Sequence, residues 1–200
     1  MDYTSQILAA AEALTFLEAA GVAFGLLYIY LAAKENIWCW PAGLVSVIIY
    51  VFICFEAKLY AEVGLQFYYL GASLYGWYHW NRQADQETLP ISTLTIKQHT
   101  LFIGVGIIVT IILGYLLSEH TDASIPYIDS FTTIFSLLTT ILVTRKVLEN
   151  WLYWIAVDSV GSYQYFYKEL YLTSFLFALY VVIVVFGYLK WRKIYRQKYA

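Results

Sequence analysis

Charge is sparse in this 200-residue sequence: Asp, Glu, Lys and Arg make up 13% of it, against roughly 25% in average globular chains. Cysteine is nearly absent, with Cys39 and Cys54 the only two. That excludes a disulfide-stapled secreted fold. Both lie in one apolar stretch, where they read as small buried hydrophobes. A net charge of −2 gives no reason to expect nucleic-acid binding. What fills the chain is apolar mass: 61% hydrophobic residues, 20% aromatic, and a mean hydropathy of +0.63. That mass excludes disorder. A soluble domain of this size buries about 70% of its surface, and too few polar residues remain here to cover the rest. The composition is that of an integral membrane protein.

Crossing a bilayer takes roughly 20 apolar residues. Seven runs qualify, at about 13–33, 37–55, 59–80, 100–118, 128–145, 151–167 and 170–189. The second, fourth and seventh hold no charge, whereas Glu18, Glu62, Asp129 and Asp158 lie in the first, third, fifth and sixth. Residues 1–12 read as a lead-in helix rather than a signal peptide, for want of a basic n-region and an A-x-A cleavage site. The longest connector, 81–99 with Arg82, Asp85, Glu87, Pro90 and Lys97, has no room for a soluble domain. With seven spans, ten of the twelve Lys and Arg fall on the side of the C-terminus, and only Lys58 and Lys168 on the other. Basic residues mark the cytoplasmic side, so the C-terminus is expected inside and the N-terminus outside. The basic tail after Trp191 then reads as an ordinary juxtamembrane anchor, with binding of regulatory lipid the lesser alternative.

The chain also repeats itself. Glu35, Asn36 and Trp40 recur as Glu149, Asn150 and Trp154, 114 positions on. Leu59, Tyr60, Leu65, Tyr69, Gly76 and Trp80 recur as Leu170, Tyr171, Leu176, Tyr180, Gly187 and Trp191, 111 positions on. The expected architecture is all-α: two parallel three-helix repeats, about 13–80 and 128–190, with a linker helix at about 100–118. Residues 1–200 then form one transmembrane domain. Two like bundles about an axis along the membrane normal are a transporter design, with substrate at their interface near the midplane.

Polar residues inside spans need a reason, because unpaired polar groups in hydrocarbon are costly. Trp151, Trp154, Asp158, Ser162 and Tyr165 share one face of the sixth span. Gln66, Tyr69, Ser73 and Gly76 share a face of the third, and Asn36, Trp40, Gly43 and Tyr50 one of the second. The fifth offers Asp129, Thr132, Thr133, Ser136, Thr139 and Thr140, although Ser and Thr also bond back to their own helix. Trp38, Trp80, Trp191 and Tyr195 sit at span ends and read as interfacial belt residues. Gly21 and Gly25 read as a close helix contact, within the chain or between subunits. Asp158 is the sharpest signal, a mid-span carboxylate with no Lys or Arg in a neighbouring span. Aromatic faces with one carboxylate suit a planar cationic ring, which gains about 1–2 kcal/mol from cation–π contact when desolvated. Asn, Gln and Asp side chains suit the vicinal hydroxyls of an attached sugar. A phosphorylated substrate would need a positive partner that the spans lack.

The stretches KENIWCWPAG, QFYYLGASLYGWYHW and TRKVLENWLYWIAVDSVGSYQYFYKELYL resemble the bacterial PnuC family of nicotinamide riboside transporters, over roughly residues 18–195. The resemblance implies a 3+1+3 helix arrangement like that of the SWEET proteins, a homotrimer, and a place in the bacterial inner membrane. It further implies facilitated diffusion of the riboside, trapped inside by a cytoplasmic kinase. By motif it points to Asn36, Trp40, Gln66, Tyr69, Trp77, Asn150, Trp151, Trp154 and Asp158 as substrate-binding, and the stripes add Thr139 and Tyr165. Other flat aromatic vitamins, thiamine and riboflavin, are carried by related proteins.

No cofactor, metal or catalytic residue is expected. His79, His99 and His120 all lie at span ends or in loops, which excludes a rhomboid-type protease and a di-metal membrane enzyme. The last span has no Lys for a retinal Schiff base. Coupling to a proton or sodium ion stays open, because Asp158 could bind the ion.

Overall fold

Among the described residues seven helices form, close to the seven apolar runs. The computed structural model describes residues 3–81 and 89–199. Its helices are α1 (Tyr3–Ala33), α2 (Cys39–Glu56), α3 (Tyr60–Asn81), α4 (Ile96–His120), α5 (Pro126–Thr144), α6 (Asn150–Tyr167) and α7 (Tyr171–Tyr199). The expected lead-in and first span are one continuous α1, and α7 runs well past the expected end of its span. Of the connector charges, Arg82, Asp85 and Glu87 lie outside the described residues. Among the described residues, five helices are long and apolar enough to cross a membrane by length and composition: α1, α2, α4, α5 and α7. In α3 and α6, tyrosines and polar side chains such as Gln66, Asp158 and Gln164 lower the hydropathy.

The chain divides into two compact units, Met1–Arg82 with α1–α3 and Gln83–Ala200 with α4–α7. In the first, α2 packs against both α1 and α3; in the second, α6 packs against both α5 and α7, and α4 lies on α5. Local backbone geometry shows how alike the two three-helix sets are. Four helices end on a charged residue in the left-handed region: Glu35 (φ 58°), Lys58 (φ 59°), Lys146 (φ 51°) and Glu169 (φ 60°). Each closes a Schellman motif. The Asn36 N–H donates to Leu31 O and the Val147 N–H to Leu142 O, both at 2.9–3.0 Å; Leu59 N–H to Cys54 O and Leu170 N–H to Tyr165 O, at 2.8–2.9 Å, complete the set. A non-glycine residue in this conformation costs about 1 kcal/mol, and no glycine stands at any of the four.

Every one of these features recurs after 111 residues, as do the bounds of α2 and α6 and the starts of α3 and α7. One offset therefore relates the repeats. The 114-residue match of Glu35, Asn36 and Trp40 is a slip of nearly one helical turn, easily made between aromatic-rich helices. In the structural register Trp40 answers to Trp151, and Gly43 to Trp154.

The linker helix α4 starts at a capping box, Thr95 with Gln98. It packs on α5 by seating aromatic rings over glycines. A Cβ on Gly106 would meet Phe135 at 2.5 Å, and one on Gly114 would overlap Tyr127. The segment before α4 is fastened to the α5–α6 turn: Ser92 N–H donates to Lys146 O at 3.0 Å, and Leu148 N–H to Ser92 O at 2.8 Å. Glu149 accepts from Leu94 N–H at 3.1 Å, and His99 Nδ1 lies 2.7 Å from the Tyr153 hydroxyl. So α4 is built into the second unit.

Candidate functional site

The α6 stripe divides by partner. Trp151 is buried, its ring pressed over Gly187, where an added Cβ would come within 2.7 Å, and edge-on to Trp191 at 5.3 Å. Ser162 donates to Ser174 O at 3.0 Å, and Ser174 Oγ donates back to Ser162 O at 2.8 Å. Tyr165 lies against Phe177 at 5.0 Å. Trp151, Ser162 and Tyr165 thus join α6 to α7. Asp158, between them, is 5% exposed, and its carboxylate has no hydrogen-bond or ion-pair partner among the described residues. Trp154, one turn before it, is half-buried.

Four further polar atoms of this unit are buried without partners among the described residues: Thr110 Oγ1, Thr139 Oγ1, Asn150 Oδ1 and Trp151 Nε1. Thr139 of α5 is 0% exposed with its Oγ1 unpaired, and Asn150, at the start of α6, has Oδ1 unpaired while Nδ2 donates to Val147 O at 2.6 Å. An unsatisfied buried polar group costs about 1–3 kcal/mol. Such groups survive in a fold when something else supplies the partner, whether water or a ligand.

The first unit places its residues differently. Trp40 is as buried as Trp151 and is wedged in the same way, over Gly76, where a Cβ would overlap its ring, and edge-on to Trp80 at 5.2 Å. Asn36 lies in the α1–α2 turn, where its Oδ1 accepts from Trp38 N–H at 2.9 Å. Gln66 and Tyr69 are half-buried on α3, the Tyr69 ring edge-on to Tyr68 at 5.6 Å. Trp77 is exposed beside Leu74, Tyr78 and Asn81. Thr139, Asn150, Trp151, Trp154, Asp158 and Tyr165 thus all lie on α5 and α6, with Trp151 and Tyr165 turned to α7, whereas Asn36 lies in a turn and Trp77 on an exposed face.

One expectation needs correction. Trp80 and Trp191, expected in the interfacial belts, are buried against Trp40 and Trp151; the edge-on pairs join α2 to α3 in the first unit and α6 to α7 in the second. The close helix contact expected at Gly21 is made within the chain, between α1 and α2. The Gly21 carbonyl accepts from Ser46 Oγ at 2.8 Å, and a Cβ there would meet Tyr50 at 3.1 Å.

Sequence spacing missed a polar network at the other end of α5 and α6. Asp129 Oδ1 accepts from Lys168 Nζ and from Gln164 Nε2, each at 2.6 Å, and Gln164 Oε1 accepts from Thr132 Oγ1 at 2.9 Å. The available signal was topological: antiparallel helices joined by a short turn bring the start of one beside the end of the next. Among the described residues no cluster of His, Cys, Asp and Glu could hold a metal ion.

A model of a family described as nicotinamide mononucleotide transporter matches residues 15–193. The chain is similar to the nicotinamide riboside transporter PnuC of Escherichia coli, 28% identical over 211 aligned residues that cover 92% of this chain and 88% of that one. It is also similar to the riboflavin/roseoflavin transporter RibM of Streptomyces davaonensis, 25% identical over 175 residues, covering 86% of this chain and 82% of that one. A crystal structure of the vitamin B3 transporter PnuC superimposes with a TM-score of 0.72 at 21% identity, covering 96% of this chain and 87% of the other. That likeness shows the fold.

Proposed function

The chain belongs to the nicotinamide mononucleotide transporter family, and from that premise we propose that it takes up nicotinamide riboside by facilitated diffusion with alternating access. It is a multi-pass membrane transporter and not an enzyme. The observation that carries the reading is Asp158, a buried carboxylate without a partner among the described residues, one turn from the half-buried Trp154. An ionisable side chain in a span is costly and marks a substrate or ion path. The pyridinium ring of the riboside is a cation with a flat face. It stacks on Trp154 and places its positive charge near Asp158, while Thr139 and Asn150 offer their unpaired oxygens to the ribose hydroxyls.

The riboside is favoured over the mononucleotide on charge. A phosphate dianion needs a cation, and Lys168, at the end of α6, is already paired with Asp129 at 2.6 Å. The second reading is riboflavin, also flat and also carrying hydroxyls, supported by the similarity to RibM. We further propose a homotrimer in the bacterial inner membrane, with the C-terminus in the cytoplasm where the basic residues gather.

Calorimetric titration of the purified protein with nicotinamide riboside, riboflavin, thiamine and nicotinamide mononucleotide is the direct test. The riboside is expected to bind tightest, and Trp154→Ala and Asp158→Ala are each expected to weaken it tenfold or more. Unchanged affinity in both variants would remove the site. Uptake into liposomes is expected to be indifferent to imposed proton and sodium gradients; stimulation by either would replace diffusion with coupling.

A further inference from the structure

Helix α7 is longer than the hydrocarbon core of a membrane is thick. Its 29 residues span about 43 Å at about 1.5 Å per residue, against a hydrocarbon core of about 30 Å. Trp191, at 0% exposure, is the last buried side chain of the helix among the described residues. Beyond it the helix continues with Arg192, Lys193 and Arg196 all exposed. No acidic residue follows Glu169, so nothing on α7 neutralises these cations.

The apolar and basic parts of α7 are in register. Phe175, Val182 and Leu189 are exposed at a spacing of seven residues, and the next position of that row is Arg196. Leu179 and Phe186 form a neighbouring row at the same spacing, which continues into Lys193. A seven-residue step returns to nearly the same helix face, so each apolar row leads straight to a cation. Where the rows meet the basic end, Leu189, Arg192, Lys193, Arg196 and Gln197 line an open concavity of about 390 Å³. Arg192 also lies 6.0 Å from the centre of the Tyr188 ring, on the next turn back.

We infer that this face of α7 seats an anionic phospholipid of the leaflet nearest the C-terminus. The acyl chain follows the exposed apolar rows, and the phosphate sits in the concavity. There the guanidinium groups of Arg192 and Arg196 offer paired N–H donors and Lys193 a point charge. A free phosphate ion would meet the same cations but would leave the apolar rows uncovered, so the amphipathic continuity selects a lipid. The lipid holds the protruding end of the helix at the membrane surface.

The test is thermal unfolding of the full-length protein in neutral detergent, with phosphatidylglycerol, phosphatidylcholine or inorganic phosphate added at equal concentration. Phosphatidylglycerol is expected to raise the unfolding temperature by about 3 °C or more, as for a ligand of the folded state; the other two are expected to do little. R192Q/K193Q/R196Q is expected to lose the shift, and K97Q/R145Q, which removes two exposed cations elsewhere, to keep it. Should the triple variant not fold, R196Q alone must lose a clear fraction of the shift. The proposal is overturned by equal shifts with both lipids, by a phosphate shift equal to that of phosphatidylglycerol, by an undiminished shift in the α7 variants, or by its loss in K97Q/R145Q.

Discussion

The two three-helix sets have nearly the same local backbone and very different interiors. Both lock a tryptophan over a glycine and against a second tryptophan, through Trp40, Gly76 and Trp80 in one and Trp151, Gly187 and Trp191 in the other. Away from that lock they part. Where α1 sets the Tyr28 ring against Gly43, so that a Cβ there would be 3.0 Å away, α5 and α6 have Thr139 and Trp154 at the equivalent positions. The large and small residues have changed helices. Where the second unit has Asp158, the first has Val47; where it has Asp129, Gln164 and Lys168 in a network, the first has Glu18, Ile53 and Ala57. A constant register thus preserves geometry while one copy keeps apolar packing and the other collects the polar groups. Repetition supplies the frame, and divergence supplies the chemistry.

The largest effects should come from the shared lock. Gly76→Ala and Gly187→Ala each drive a methyl into a buried indole, and each is expected to lose about 2 kcal/mol of stability in denaturation measurements. Gly76→Ala should be the worse, because Trp40 lies closer there. Equal and negligible losses would show that the lock is loose. The next comparison is between interiors: Asp158→Ala should weaken riboside binding tenfold or more in calorimetry, whereas Val47→Ala, at the equivalent place, should leave it within twofold. A comparable loss in both would mean that the copies share the binding work evenly.

Smaller effects separate the helix ends. Asp129→Asn should reduce stability by about 0.5–1 kcal/mol, since the ion pair is partly exposed and screened, while Glu18→Gln should change nothing measurable by thermal unfolding. Lys58→Gly and Glu169→Gly should each stabilise by about 0.5 kcal/mol, as glycine relieves the left-handed conformation. The two gains should match, because the two turns have the same geometry.

How far the sequence could be read follows from which signals are local. The spans were legible because hydrophobic length is a sum over neighbours, and the third-to-seventh helix repeat was legible because Gly76 and Trp80 recur intact as Gly187 and Trp191. The register of the second and sixth helices was misread, because Glu-Asn and Trp also recur at a spacing three residues off. Residue identity misled there, and the left-handed helix ends together with the helix bounds corrected it. Among the candidate residues, Asp158 stood out at once, since a lone carboxylate in an apolar run needs no structure to be noticed. That Trp151 and Trp40 are packing wedges was not legible, because a tryptophan facing a cavity and one facing a glycine look the same in one dimension.

By itself, the sequence determined the membrane class, the seven helices and the repeat, for each rests on composition and period along the chain. It also marked Asp158, because burial of a charge is implied by its neighbours. Only the tertiary structure decided which tryptophans are wedges, that Asp129 pairs with Lys168, that the linker helix is built into the second unit, and that Asp158 has no partner among the described residues. Those are facts about side chains distant in sequence. Which of them meet depends on how helix faces pack, and a few ångströms of separation decide whether a polar group is satisfied.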